Sequence, residues 1–132
     1  MSFCNKKVCL YHIYLIALSF IVIYGFVIKQ YIKTDVFETK FLSCEGCDIW
    51  GIFHFLLYLL LSYYFPSYYI LFFFIGIGYE LFEYYVGVTD NEFKKLGPIT
   101  SDGKQSWWYG RMSDIFFNTF GIVIGLYISP YK

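Results

Sequence analysis

Four long apolar runs, set apart by polar punctuation, organise this chain. The first covers residues 8–28 and holds no fixed charge, with His12 its one titratable interruption apart from tyrosines and Cys9. The second, 49–65, is interrupted by His54. The third, 67–86, takes up Glu80 and Glu83 near its end, and the fourth, 113–128, carries Asp114 and Asn118 near its start. The runs are continuous rather than alternating, which excludes the period-two strands of a membrane barrel. About 20 mostly apolar residues cross a bilayer as a helix. The pattern therefore predicts an all-α fold, a four-helix transmembrane bundle in one domain over residues 1–132, with the fourth span slightly short. Pro66 and Ser67 join the second and third runs tightly, as an antiparallel helical hairpin, because proline suits the first turn of a helix.

Lys6 and Lys7 ahead of the first run resemble a secretory leader. The run is longer than a signal core and no small-x-small cleavage site precedes Lys29, so it reads as a retained helix. Composition supports the membrane reading. The chain is 58% hydrophobic and 26% aromatic with 15% charged residues, where a soluble domain carries about a quarter charged residues. A core of this size could not bury so much apolar surface. The formal net charge is zero, which removes the general electrostatic case for nucleic acid. Lys29, Lys33, Lys40, Lys94, Lys95, Lys104 and Arg111 lie on the side of the two long connectors, against Lys6, Lys7 and Lys132 on the other. The positive-inside rule then predicts cytosolic connectors, 29–48 and 87–110, with both termini across the membrane.

The polar residues inside the runs set the candidate chemistry. His54 lies five residues into its span from the connector side. Glu80 and Glu83 approach the same side at the end of theirs, and Asp114 and Asn118 leave it at the start of the last. At 1.5 Å per residue all five fall in the outer third of one leaflet. Glu80 and Glu83 share a helix face at i, i+3, as do His54 and Tyr58 at i, i+4. Asp114, Asn118, Gly121 and Gly125 form one stripe, whose glycines would let another helix approach closely. Acids in a bilayer cost free energy, so the cluster implies a compensator: a bound cation, Arg111 or His54 as ion-pair partner, or a retained proton. Glu80, Glu83, Asp114 and Asn118 make an oxygen set for Ca²⁺ or another divalent cation, with His54 as general base and Arg111 as a phosphate contact. Each residue alone also has an ordinary reading. Ser113 or Asp114 would serve as a helix cap, the helix dipole favours Asp114 at an N-terminus, and His54 would sit at the interface.

Two other features carry less. Cys44 and Cys47 form a C-x-x-C without the second pair a zinc site usually wants. Their role reads as structural or incidental, reduced if cytosolic and disulfide-bonded if lumenal. Trp107, Trp108 and Tyr109 read as an interfacial aromatic belt.

"HFLLYLLL", "YELFEYYVG" and "GRMSDIFFNTFGIVIG" together resemble the VanZ-like family of small membrane proteins over residues 49–128. His54, Glu80, Arg111, Asp114, Asn118, Gly121 and Gly125 occupy the positions of that family's pattern. "YELFEYYVG" followed by "SWWYGRMSD" is also similar to the core of base-exchange phosphatidylserine synthases, which swap phospholipid headgroups using Ca²⁺. That likeness implies His54 as catalytic base and Glu80, Glu83 and Asp114 in the metal and headgroup site. Tyr109 departs from it, standing where those enzymes carry an acid, and the chain is far shorter. Two expectations follow. One is metal-assisted chemistry or binding at a phospholipid or polyprenyl headgroup. The other is a non-enzymatic structural or assembly protein of a viral or organellar membrane, with the polar layer as a helix–helix network. Membrane lipids are the expected partners, with a homo-oligomer or another membrane protein as further options.

Overall fold

A computed structural model describes residues 6–27, 37, 40, 47–88 and 111–131. Four α-helices follow one another: α1 Lys6–Val27, α2 Ile49–Tyr64, α3 Tyr69–Val88 and α4 Met112–Ile128, with a short 3₁₀ helix, Pro66–Tyr68, between α2 and α3. The expected runs and the helices agree to within two residues at each end. The residues called an aromatic belt, Trp107 to Tyr109, and Cys44 lie outside the described residues. Cys47 is disulfide-bonded.

Local chemistry sets the helix boundaries. Asp48, in extended conformation, caps α2 by accepting the Gly51 N–H at 3.0 Å, as a cap carboxylate does for an orphan donor of the first turn. At the other end Pro66 pushes Phe65 out of helical conformation, and the Phe65 N–H closes on the Leu61 carbonyl at 2.9 Å. The same rule ends α4, where Ser129 precedes Pro130 and turns extended. The Ser129 hydroxyl then donates to the Tyr63 carbonyl at 2.6 Å, satisfying one of the acceptors left over at the end of α2.

The principal packing is between α2 and α4, with α3 against α4 and, less closely, α2. Gly121 faces Phe55 and Leu59, Gly125 faces Leu59 and Ser62, and Ser129 faces Tyr63. The two helices therefore run parallel, with α3 antiparallel to both. A Cβ at Gly121 or Gly125 would be driven into a backbone carbonyl of Phe55 or Leu59. Backbone against backbone is the contact that small-x-x-x-small spacing permits. The hairpin partner α3 is thus not the closest neighbour of α2; the glycine-bearing α4 is. Tyr58, Leu61, Phe65, Phe72 and Ile122 fill the centre. Helix α1 joins through rings, with Phe20, Tyr24, Phe37, Trp50 and Phe53 stacked or edge-on at centroid separations from 4.2 to 6.1 Å.

Burial is inverted relative to a water-soluble domain. Among the described residues six large hydrophobics are buried and seven polar or charged residues are buried, while thirty large hydrophobics are exposed. Soluble proteins bury apolar side chains first and keep acids out. Among the described residues, Pro66–Val86 is the one helical stretch long and apolar enough to cross a membrane, and little of it is buried. Tyr11–Tyr24, Ile49–Tyr64 and Met112–Ile128 are shorter apolar helices. The expectation of four full-length spans is corrected accordingly. At 16 and 17 residues, α2 and α4 reach about 25 Å, short of a hydrocarbon core of about 30 Å.

Gly121→Ala should destabilise the bundle by about 1–3 kcal/mol, the usual cost of forcing atoms into filled space. Gly78→Ala should be neutral or slightly stabilising, since nothing lies within 4 Å of its added Cβ and alanine favours helix. Unfolding in mixed micelles compares the two.

Candidate functional site

The parallel contact brings the N-terminal ends of α2 and α4 together, and antiparallel α3 delivers its C-terminal half to the same level. Asp48, Glu80, Glu83, Asp114 and Asn118 are all buried there, none more than 8% exposed. His54, on the second turn of α2, points its Nδ1 at the Asn118 Oδ1, 3.0 Å away. Its Nδ1 also stands 3.6 Å from Glu80 Oε1. Where Nδ1 donates to the Asn118 carbonyl oxygen, Nε2 keeps the lone pair, the arrangement in which a histidine accepts a proton or a metal ion at its far edge.

The Arg111 side chain meets Asp48. Its guanidinium is bound to Asp48 Oδ2 at 2.5 Å, while its backbone N–H donates to Glu80 Oε2 at 3.1 Å. That N–H belongs to the N-cap residue of α4, the donor that an acid three positions later takes in a capping box. Glu80 has taken it instead. Asp114, three residues on, turns inward, and its Oδ1 is buried with no hydrogen-bond partner. The reading of Ser113 or Asp114 as the cap gives way to Arg111 in that position, with no side-chain cap bond.

Glu80 Oε1 and Asn118 Nδ2 are likewise buried without a hydrogen-bond partner. His54, Glu80 and Asp114 each offer one ligand atom, and the three atoms lie within 4.8 Å of one another. Around a small divalent ion with bonds of about 2.1 Å, neighbouring ligands sit about 3 Å apart and opposed ones about 4.2 Å, so the three side chains would draw closer to share one ion. The charge balance points the same way. Among the described residues, Asp48, Glu80, Glu83 and Asp114 face one guanidinium, that of Arg111; ionised together in a dry interior they would be costly.

Of the expected ligand set, Glu80 and Asp114 are brought together with the expected base, His54. Asn118 is adjacent, with its carbonyl oxygen engaged by the imidazole. Glu83 is not in the three-residue group; one turn along α3, its carboxylate accepts from the Tyr79 hydroxyl. The donor set close at hand is thus one nitrogen and two carboxylates, which suits Mn²⁺ or Zn²⁺ better than the all-oxygen shell of Ca²⁺. Sequence reasoning missed Asp48. Its signal was there, an Asp immediately ahead of an apolar run, where a helix cap is expected. It also missed Tyr79, whose i, i+4 spacing to Glu83 was legible. Of the two glycines in "GIGYE", Gly76 is tightly packed, with an added Cβ meeting the Tyr58 hydroxyl at 3.0 Å and Asn118 Nδ2 at 3.1 Å, while Gly78 faces open space.

No protein family, curated protein or solved structure matches this chain.

In the wild type, ¹⁵N spectra of the imidazole should show His54 protonated at Nδ1 and bare at Nε2. Asn118→Ala should mix the tautomers. A wild-type ring protonated at Nε2 would contradict the geometry.

Proposed function

We propose that this chain is a multi-pass membrane protein whose polar pocket holds a divalent cation and engages the phosphate of a membrane-lipid headgroup. The observation that carries this reading is the pair of buried carboxylate oxygens without a hydrogen bond, Glu80 Oε1 and Asp114 Oδ1, grouped with His54. The inverted burial supports the membrane half of the reading, since lipid tails would cover the thirty exposed hydrophobic side chains. The pocket lies near the connector ends of α2, α3 and α4, the depth at which headgroup phosphates meet hydrocarbon. The resemblance to VanZ-like proteins and to the base-exchange synthase core agrees with the same residues.

His54, Glu80 and Asp114 would hold the ion. Bound there, a divalent cation supplies charge stabilisation to phosphate oxygens. Asn118 holds the imidazole ring in place through Nδ1. With its Nδ1 proton on Asn118, His54 has its one lone pair at Nε2, so as a ligand it would offer that atom and would not also serve as general base. Arg111, paired with Asp48, organises the pocket's rim and is not assigned to the phosphate. The Lys and Arg count turns the pocket toward the cytosol, whereas the Cys47 disulfide argues for an oxidising side. Labelling Cys47 in sealed vesicles with an impermeant thiol reagent, with and without prior reduction, decides between them.

Purified protein in bicelles should bind Mn²⁺, read by electron paramagnetic resonance, and the bound ion should broaden the lipid ³¹P signal. Glu80→Gln should remove both effects and leave helicity intact. If no ion binds and Glu80→Gln instead unfolds the bundle, the polar layer is a helix–helix assembly network and the chain is a structural membrane protein.

A further inference from the structure

Asp48 is 1% exposed, and its two oxygens do different work. Oδ1 accepts the Gly51 N–H and starts α2. Oδ2 binds the Arg111 guanidinium. The first task needs no charge, because a neutral asparagine caps a helix as well as an aspartate. Burying an acid where a neutral cap would serve, and pairing it with a half-buried arginine, contributes little to stability. The charge has another use. Arg111 is anchored beside the acid cluster by its backbone N–H on Glu80 Oε2, and its guanidinium is in electrostatic range of Glu80, Glu83 and Asp114. A guanidinium released at that point would form forked hydrogen bonds with the nearest carboxylates. It would cover the oxygens of Glu80 and Asp114 that lack partners.

We infer that Asp48 is a specificity-determining residue of the cation site: it sequesters the Arg111 guanidinium and so keeps Glu80 and Asp114 open to a divalent ion. The inference rests on the cation reading above. Asp48 touches neither ion nor lipid and acts through Arg111, as a positioning residue.

The test is a Mn²⁺ titration of the full-length protein in bicelles, with Ca²⁺ and Zn²⁺ in parallel. Asp48→Asn keeps the helix cap and should weaken Mn²⁺ binding by about 10- to 100-fold, the usual loss when a residue supporting the ligands is changed. Asp48→Asn combined with Arg111→Gln should recover binding, since no guanidinium remains to invade the cluster. A merely structural Asp48 predicts no such rescue. Arg111→Gln alone should tighten binding, and this result carries the test if Asp48→Asn fails to fold. Wild-type affinity in Asp48→Asn, or a double variant as weak as the single one, overturns the inference and leaves the cation site standing. A wild-type protein that binds none of the three ions overturns both.

Discussion

The close approach of α2 and α4 is the constraint from which the rest of the structure follows. Gly121 and Gly125 remove the two side chains that would hold the helices apart, and backbone meets backbone at Phe55 and Leu59. For a seam in lipid, as proposed, the gain would come from dispersion and short-range polar contacts rather than from the hydrophobic effect. Fixing that seam fixes the register of everything along it. One to three turns toward the N-termini, the same register sets Asn118 opposite His54 and Arg111 opposite Asp48. At the far end it sets Ser129 on the Tyr63 carbonyl. The polar contacts at both ends confirm one parallel alignment and penalise any slip.

The pocket is a compromise between two demands. Buried acids must be compensated, and the protein does so incompletely. Asp48 spends its charge on Arg111, Glu83 accepts from Tyr79, and Glu80 uses one oxygen on the Arg111 backbone. One oxygen each of Glu80 and Asp114 is left without a hydrogen bond. Structural networks tend to close such gaps, because half-satisfied polar groups in a low-dielectric interior cost more than an apolar substitute. The open gaps around these carboxylates and the imidazole are what the proposed cation reading rests on.

Much of the fold was legible in the residue pattern. The four apolar runs became the four helices, and depth arithmetic alone placed His54, Glu80, Asp114 and Asn118 at one level. The stripe from Asp114 to Gly125 faced inward as its spacing implied, since Asp114, Asn118, Gly121 and Gly125 are all buried. Other points were not legible. The tight Pro66 turn suggested that α2 would pack chiefly on α3, but chain adjacency is a weaker determinant than the removal of side chains by glycine. Glu83 shares a face with Glu80, yet a three-residue step on a helix still leaves about 60° between side chains, enough to send it to Tyr79. Asp48 read as part of a polar connector, because its burial depends on Arg111, a residue more than sixty positions away.

The sequence by itself determined the helical class, the level of the polar layer and the seam's capacity for close contact, since these depend on local periodicity and side-chain size. Only the tertiary structure decided which acid each cation meets. Asp48 and not Glu80 or Asp114 holds the guanidinium, because backbone geometry at the start of α4 gives Glu80 the Arg111 N–H and turns the side chain toward α2. That choice depends on the relative placement of three helix ends, which no one-dimensional pattern encodes.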